Sequence, residues 1–181
     1  MKVFASALLS LLALAMLAAC SGDDVADDPK LSDQGKEVVK ALGGPFTADE
    51  FRKFLADLPK IPGLTAKTAQ DASDAPGAAG RAEVKSAIKS LGWDEDRFLY
   101  IYSHAMTMAN LDQMQRMTDQ MRDQFKDMPD DQRKAMEQML SQQLGGQMSA
   151  VRADVDKQIP ASEQAIVRDH MDELMKTLGM R

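Results

Sequence analysis

The sequence predicts an all-α protein: a helical hairpin, then a longer helical bundle or coiled-coil hairpin, preceded by an acidic tether. Three observations predict it. From Asp33 onward apolar residues recur at spacings of three and four rather than two. Helix-start signals stand where those stripes begin, as at Thr47 and Asp94. Residues 94–128 contain neither Gly nor Pro, which allows one helix of about 34 residues and about 50 Å.

In chain order, Ser21 to Ser32 carries Asp23, Asp24, Asp27, Asp28 and Pro29 with little apolar content, and reads as a solvated tether. Fully extended it reaches at most about 40 Å. Asp33 to Leu42 forms a short helix with Val38, Val39 and Leu42 inward, stopped at Gly43-Gly44-Pro45. Thr47 with Glu50 is a capping box, and Phe46 is placed to staple onto Phe51. That second helix carries Phe51, Phe54, Leu55 and Leu58, and Pro59 ends it.

Residues 59–80 hold three prolines, three glycines and few large apolar side chains apart from Ile61 and Leu64, so they read as a linker between the hairpin at 33–58 and a bundle at 81–181. Glu83 to Leu91 resumes the helical pattern. Gly92 stops it, Trp93 takes the staple position, Asp94 caps, and Phe98 follows. The same order of features occurs around Leu42 to Phe51, which is either a weak duplication or two hairpins using common capping chemistry.

The long helix presents Phe98, Ile101, Ala105, Met108, Leu111, Met114, Met117 or Thr118, Met121, Phe125 and Met128 on one stripe. Pro129 with Asp130 and Asp131 suits the first turn of the next helix, which bears Met136, Met139, Leu140 and Leu144 and is expected to end at Gly145-Gly146. A further helix is expected over 147–158. Pro160 interrupts, and Ala161 to Leu178 presents Ile166, Val167, His170, Met171, Leu174, Met175 and Leu178.

Chemistry-bearing motifs are few. The chain has no Gly-x-Ser-x-Gly elbow, no phosphate-binding glycine loop and no His-Glu-x-x-His, and only two histidines. No catalytic residue and no cofactor are implied. Aromatic residues are 5% of the chain while methionines number 14. Met114, Met117 and Met121 share a helical face that packs a core, or lines a groove for apolar partner segments, where thioether flexibility accommodates several ligands. Tyr100 lies off the stripe and reads as an exposed contact. An alternative reading is a periplasmic Cu(I) carrier: thioether with imidazole suits a soft ion, and His104 and Met108 stand at i, i+4, with His170-Met171 on the last helix.

The first twenty residues address the protein. Lys2 is followed by an apolar or small run from Val3 to Met16, closed by Leu17-Ala18-Ala19-Cys20. This resembles the signal peptide and lipobox of bacterial lipoproteins, over residues 1–20 alone. The resemblance implies removal of residues 1–19, a diacylglycerol on the Cys20 thiol and acylation of the new amine; two or three acyl chains anchor stably where one is marginal. In such lipoproteins an Asp after the cysteine marks inner-membrane retention; Ser21 stands there instead, so the resemblance implies the periplasmic face of the outer membrane.

Loss of Lys2 with the leader takes the formal charge from −6 to −7, which excludes charge-driven attraction to nucleic acid. With Cys20 as the one cysteine, the mature chain forms no internal disulfide. The expectation is a lipid-anchored, non-enzymatic binding, assembly or chaperone-like factor that meets an exported or envelope protein, or a second copy of itself.

Overall fold

The computed structural model describes Val25, residues 28–71 and residues 78–180. The expected signal peptide, Cys20 and half of the expected tether, residues 21–24, 26 and 27, lie outside the described residues. The fold is all-α: α1 Asp33–Ala41, α2 Ala48–Asp57, a 3-10 turn Leu58–Lys60, α3 Ala66–Asp71, α4 Ala78–Ser90, α5 Glu95–Gln124, α6 Asp130–Gln158, α7 Ala161–Asp169 and α8 Met171–Leu178. Among the described residues there is no strand, and no helix is long and apolar enough to cross a membrane.

Local side chains set the helix starts. Ser32, Thr47 and Asp94 each accept an N–H from the third residue on, at 3.1, 3.2 and 3.0 Å. Both staples form: Phe46 stacks on Phe51 with centroids 5.4 Å apart, and Trp93 meets Phe98 edge-on at 5.5 Å.

The first half of α5 is the spine of the body, contacted by α2, α4, α7 and α8. Around it Phe46, Phe51, Phe54, Leu58, Ile61, Ile88, Phe98, Ile101 and Leu174 are fully buried in one hydrophobic cluster. The hairpin at 33–58 therefore shares its core with the C-terminal helices. Part of the expected linker at 59–80 packs on the body: Ile61 is fully buried, Thr65 is buried and exchanges hydrogen bonds with Thr68, and Tyr102 OH donates to Leu64 O. One large apolar side chain in a buried position offsets the low apolar content around it.

The end of the expected tether is docked as well. Leu31 is buried, Asp28 accepts Ala161 N–H at 3.0 Å, Lys30 pairs with Asp156 at 3.0 Å, and Ser32 donates both N–H and O–H to Lys157 O. Ser32 thereby joins the start of α1 to the C-terminal end of α6. Gly35 permits the close approach, since a Cβ there would sit 2.5 Å from Lys157 O.

Two boundaries differ from expectation. Helix α6 runs through Gly145-Gly146 without a break, because neither glycine takes a positive φ and the hydrogen-bond ladder is intact. The last segment divides at His170, whose backbone leaves the helical region (φ −110°, ψ 13°) and whose Nδ1 donates to Ile166 O at 2.9 Å.

Beyond the body, α5 and α6 continue as an antiparallel two-helix arm. From Met121 to Met148 no described side chain is buried. Two helices alone cover only the seam between them.

Candidate functional site

Two regions carry the residues of interest: a buried carboxylate under α5, and the arm. Glu163 is the third residue of α7, where a glutamate ordinarily faces solvent. Here it is fully buried and accepts three hydrogen bonds: from Phe46 N–H at 3.0 Å, Tyr100 OH at 2.6 Å and His104 Nδ1 at 2.6 Å. Tyr100 and His104 stand one turn apart on α5, so one carboxylate reaches both, and their rings lie 4.2 Å apart. Burial, then the charge and hydrogen bond of Glu163, push the Tyr100 hydroxyl well above its ordinary range, so it stays a donor.

One turn earlier, Arg97 grips both oxygens of Glu50 at 2.7 Å and donates to Leu42 O and Gly44 O at 2.9 and 2.6 Å. Its guanidinium lies 5.3 Å over the Tyr100 ring, and the bond to Glu50 holds its proton more firmly still, against the opposing effect of burial. The same face of α5 thus clamps the α1–α2 loop and the start of α7.

His104 edges a cleft of about 820 Å³ between α1, α5 and the end of α6, beside Val38, Leu99 and Ile159. The two hydroxyls on that stretch of α5 are engaged: Ser103 donates to Tyr100 O, and Thr107 to Ser103 O, both at 2.8 Å. With Nδ1 given to Glu163, His104 is held as part of a packing clamp.

Tyr100, read as an exposed contact, is 4% exposed. Helix α5 is covered on several sides here, so its buried arc is wider than the sequence stripe. The shared cavity of the metal reading is also missing: His104 faces the α1 cleft, whereas Met108 is buried and lines a different cleft beside Met171. Among the described residues no three His, Cys, Asp or Glu side chains are grouped to hold a metal.

Met114, Met117 and Met121 all stand on the outer half of α5. Met114 and Met121 are half-buried, and Met117 is 50% exposed while Thr118 takes the buried position. On the arm, Met128 and Met139 are 36% and 47% exposed. Sequence reasoning missed Glu163. Its signal was register, because it precedes Val167 by four and His170 by seven on the apolar stripe of the last segment. Comparison of the chain with protein-family models, with curated proteins and with solved structures finds no match.

Proposed function

We propose that this protein is a lipid-anchored, non-enzymatic binding factor whose methionine-bearing arm engages apolar segments of an exported protein. The observation that supports it most is the arm itself: a two-helix projection with Met117 exposed at its base, Met128 and Met139 exposed further out, and no described side chain buried from Met121 to Met148. Exposed large apolar side chains in such a run suit a docking surface, and unbranched thioethers suit one that meets more than one sequence. The body, by contrast, is tied together by the Glu163 and Arg97 networks and presents a rigid base.

The lipobox-like Leu17-Ala18-Ala19-Cys20 supplies the anchor in this reading, with the arm working on the periplasmic side of the outer membrane. No cofactor and no nucleic acid take part. Photo-crosslinking residues at Met117 and Met139 in living cells test the arm, and fractionation of Cys20→Ala tests the anchor. The expected results are adducts with exported proteins from both positions and release or blocked processing of Cys20→Ala. Adducts only with a second copy of this chain would make the arm a self-association device, and mature protein starting at Ser21 would remove the anchor.

A further inference from the structure

The arm leaves the body at a cleft of about 370 Å³ between α5, α6 and the α7–α8 pair, the low end of ligand-pocket sizes. Met108, Val155 and Met171, all buried, form its floor, and Arg152 and Arg168 stand on its rim. We propose that this cleft binds a carboxylate carried on an apolar tail.

The two rim arginines differ from the others in their partners. Elsewhere, Arg52, Arg97, Arg116, Arg122 and Arg133 each meet a carboxylate. Arg152 instead donates to the amide oxygen of Gln115, and Arg168 to that of Gln164, both at 2.6 Å. An amide oxygen positions a guanidinium without cancelling its charge. Gln164 is buried, and its Nε2 is committed to Ile159 O at 2.9 Å and Asp156 Oδ1 at 3.2 Å, so its oxygen is fixed toward Arg168. Two carboxylates also border the cleft: Asp112 holds Arg116, and Asp156 holds Lys30 while its charge is also favoured by Arg168. Neither is bonded to a rim fork, so both guanidiniums keep N–H groups open to a further carboxylate beside an apolar floor. Guanidinium is weakly hydrated and pairs well with a carboxylate at an apolar boundary, where a strongly hydrated anion gains less. The ligand is a free alkanoic acid or the C-terminal carboxylate of an apolar chain, the same chemistry from two sources. The proposal does not depend on partner binding by the arm.

The test uses the mature protein in nanodiscs with 13C-methyl methionine, titrated with hexanoate, hexanol and hexylamine. Hexanoate is expected to shift the methyl signals of Met108 and Met171 saturably while leaving Met139 unmoved, with hexanol and hexylamine inactive at the same concentration. R152Q and R168Q, both at exposed positions, are expected to weaken hexanoate about tenfold each with unchanged melting, and added salt to weaken it further. R133Q, at the arm tip, serves as control and is expected to bind normally. R168K keeps the charge and is expected to recover part of the loss, which separates a lost charge from a disturbed fold. An apolar hexapeptide competing with hexanoate only when its C-terminus is free identifies a chain end as the source, and hexanoate binding without such competition identifies a free acid. Equal effects of hexanol and hexanoate, or hexanoate shifts unchanged in both glutamine variants, would overturn the proposal.

Discussion

Glu163 accepts the backbone N–H of Phe46 across 117 residues of sequence, at 3.0 Å. That bond ties the start of the α2 hairpin to the first turn of α7. The Phe46 ring, stacked on Phe51, is oriented by the same anchor. A peptide group next to a buried ring must find a partner. The chain supplies one from its far end.

Removing that acceptor leaves the buried Phe46 N–H and Tyr100 OH and the part-buried His104 Nδ1 unmatched. Glu163→Ala is expected to cost about 3 kcal/mol or more, and Glu163→Gln, which keeps one acceptor oxygen, distinctly less. Urea unfolding followed by circular dichroism measures both. A loss below about 0.5 kcal/mol for the alanine variant would reduce the network to incidental contact.

Asp57 carries a pH dependence of known sign. Burial alone would raise its carboxyl, but hydrogen bonds from Lys53 and Lys60, each at 2.7 Å, and from Trp93 Nε1 at 3.0 Å hold it at about 2. In the unfolded chain it titrates at about 4. Its contribution, about 2 kcal/mol, is fully present above the unfolded value and is lost as pH falls from about 4 toward 2. Asp57→Asn is expected to flatten the stability profile over that window, with its deficit at pH 7 largely gone by pH 2. An unaltered acid limb would show that other carboxylates govern it.

The same substitution is expected to act with opposite sign at two glycines. At Gly146 the added Cβ meets nothing within 4 Å and the backbone is helical, so Gly146→Ala is expected to stabilise by about 0.5–1 kcal/mol. At Gly35 it meets the Lys157 carbonyl at 2.5 Å, so Gly35→Ala is expected to destabilise and to disturb the Ser32 contact. Differential scanning calorimetry reads both signs, and hydrogen exchange in α1 reads the second effect directly.

Methionine truncation separates body from arm. Met108→Ala empties a buried site and is expected to cost about 2–5 kcal/mol, whereas Met117→Ala, half exposed, is expected to cost well under 1 kcal/mol while weakening crosslinked partner recovery. Comparable losses in melting temperature would place Met117 in a packed interface.

The residues that were legible in advance act over a few positions. Thr47 and Asp94 cap, and Phe46 and Trp93 staple, because the partner groups lie three to five residues away. The other half of the Thr47 box illustrates the limit. Glu50 belongs to Arg97, 47 residues on, and no local pattern encodes that competition. Gly145-Gly146 reads as a stop, yet neither glycine takes the left-handed conformation that a glycine stop uses, and the helix continues through both. The apolar period continues unchanged from Phe98 to Met128, so it shows which residues share a face. It is silent on how many helices cover that face, which is why Tyr100 is buried and Met117 is not.

The docking of Ser32 on Lys157 also sets a reach. Helix α6 begins at the arm tip and ends at that junction, so its 29 residues act as a boom of about 40 Å between the point where the tether meets the body and the tip at Asp130. A protein held through Cys20 would have its tether attached at one end of this boom, with Met128 and Met139 toward the other. Lengthening the tether moves the whole lever, while deleting whole turns from α5 and α6 together shortens only the span to the tip. If the arm docks partners as proposed, reach and docking surface would be separately adjustable, and the bond between a serine and a helix-end carbonyl fixes where the span begins.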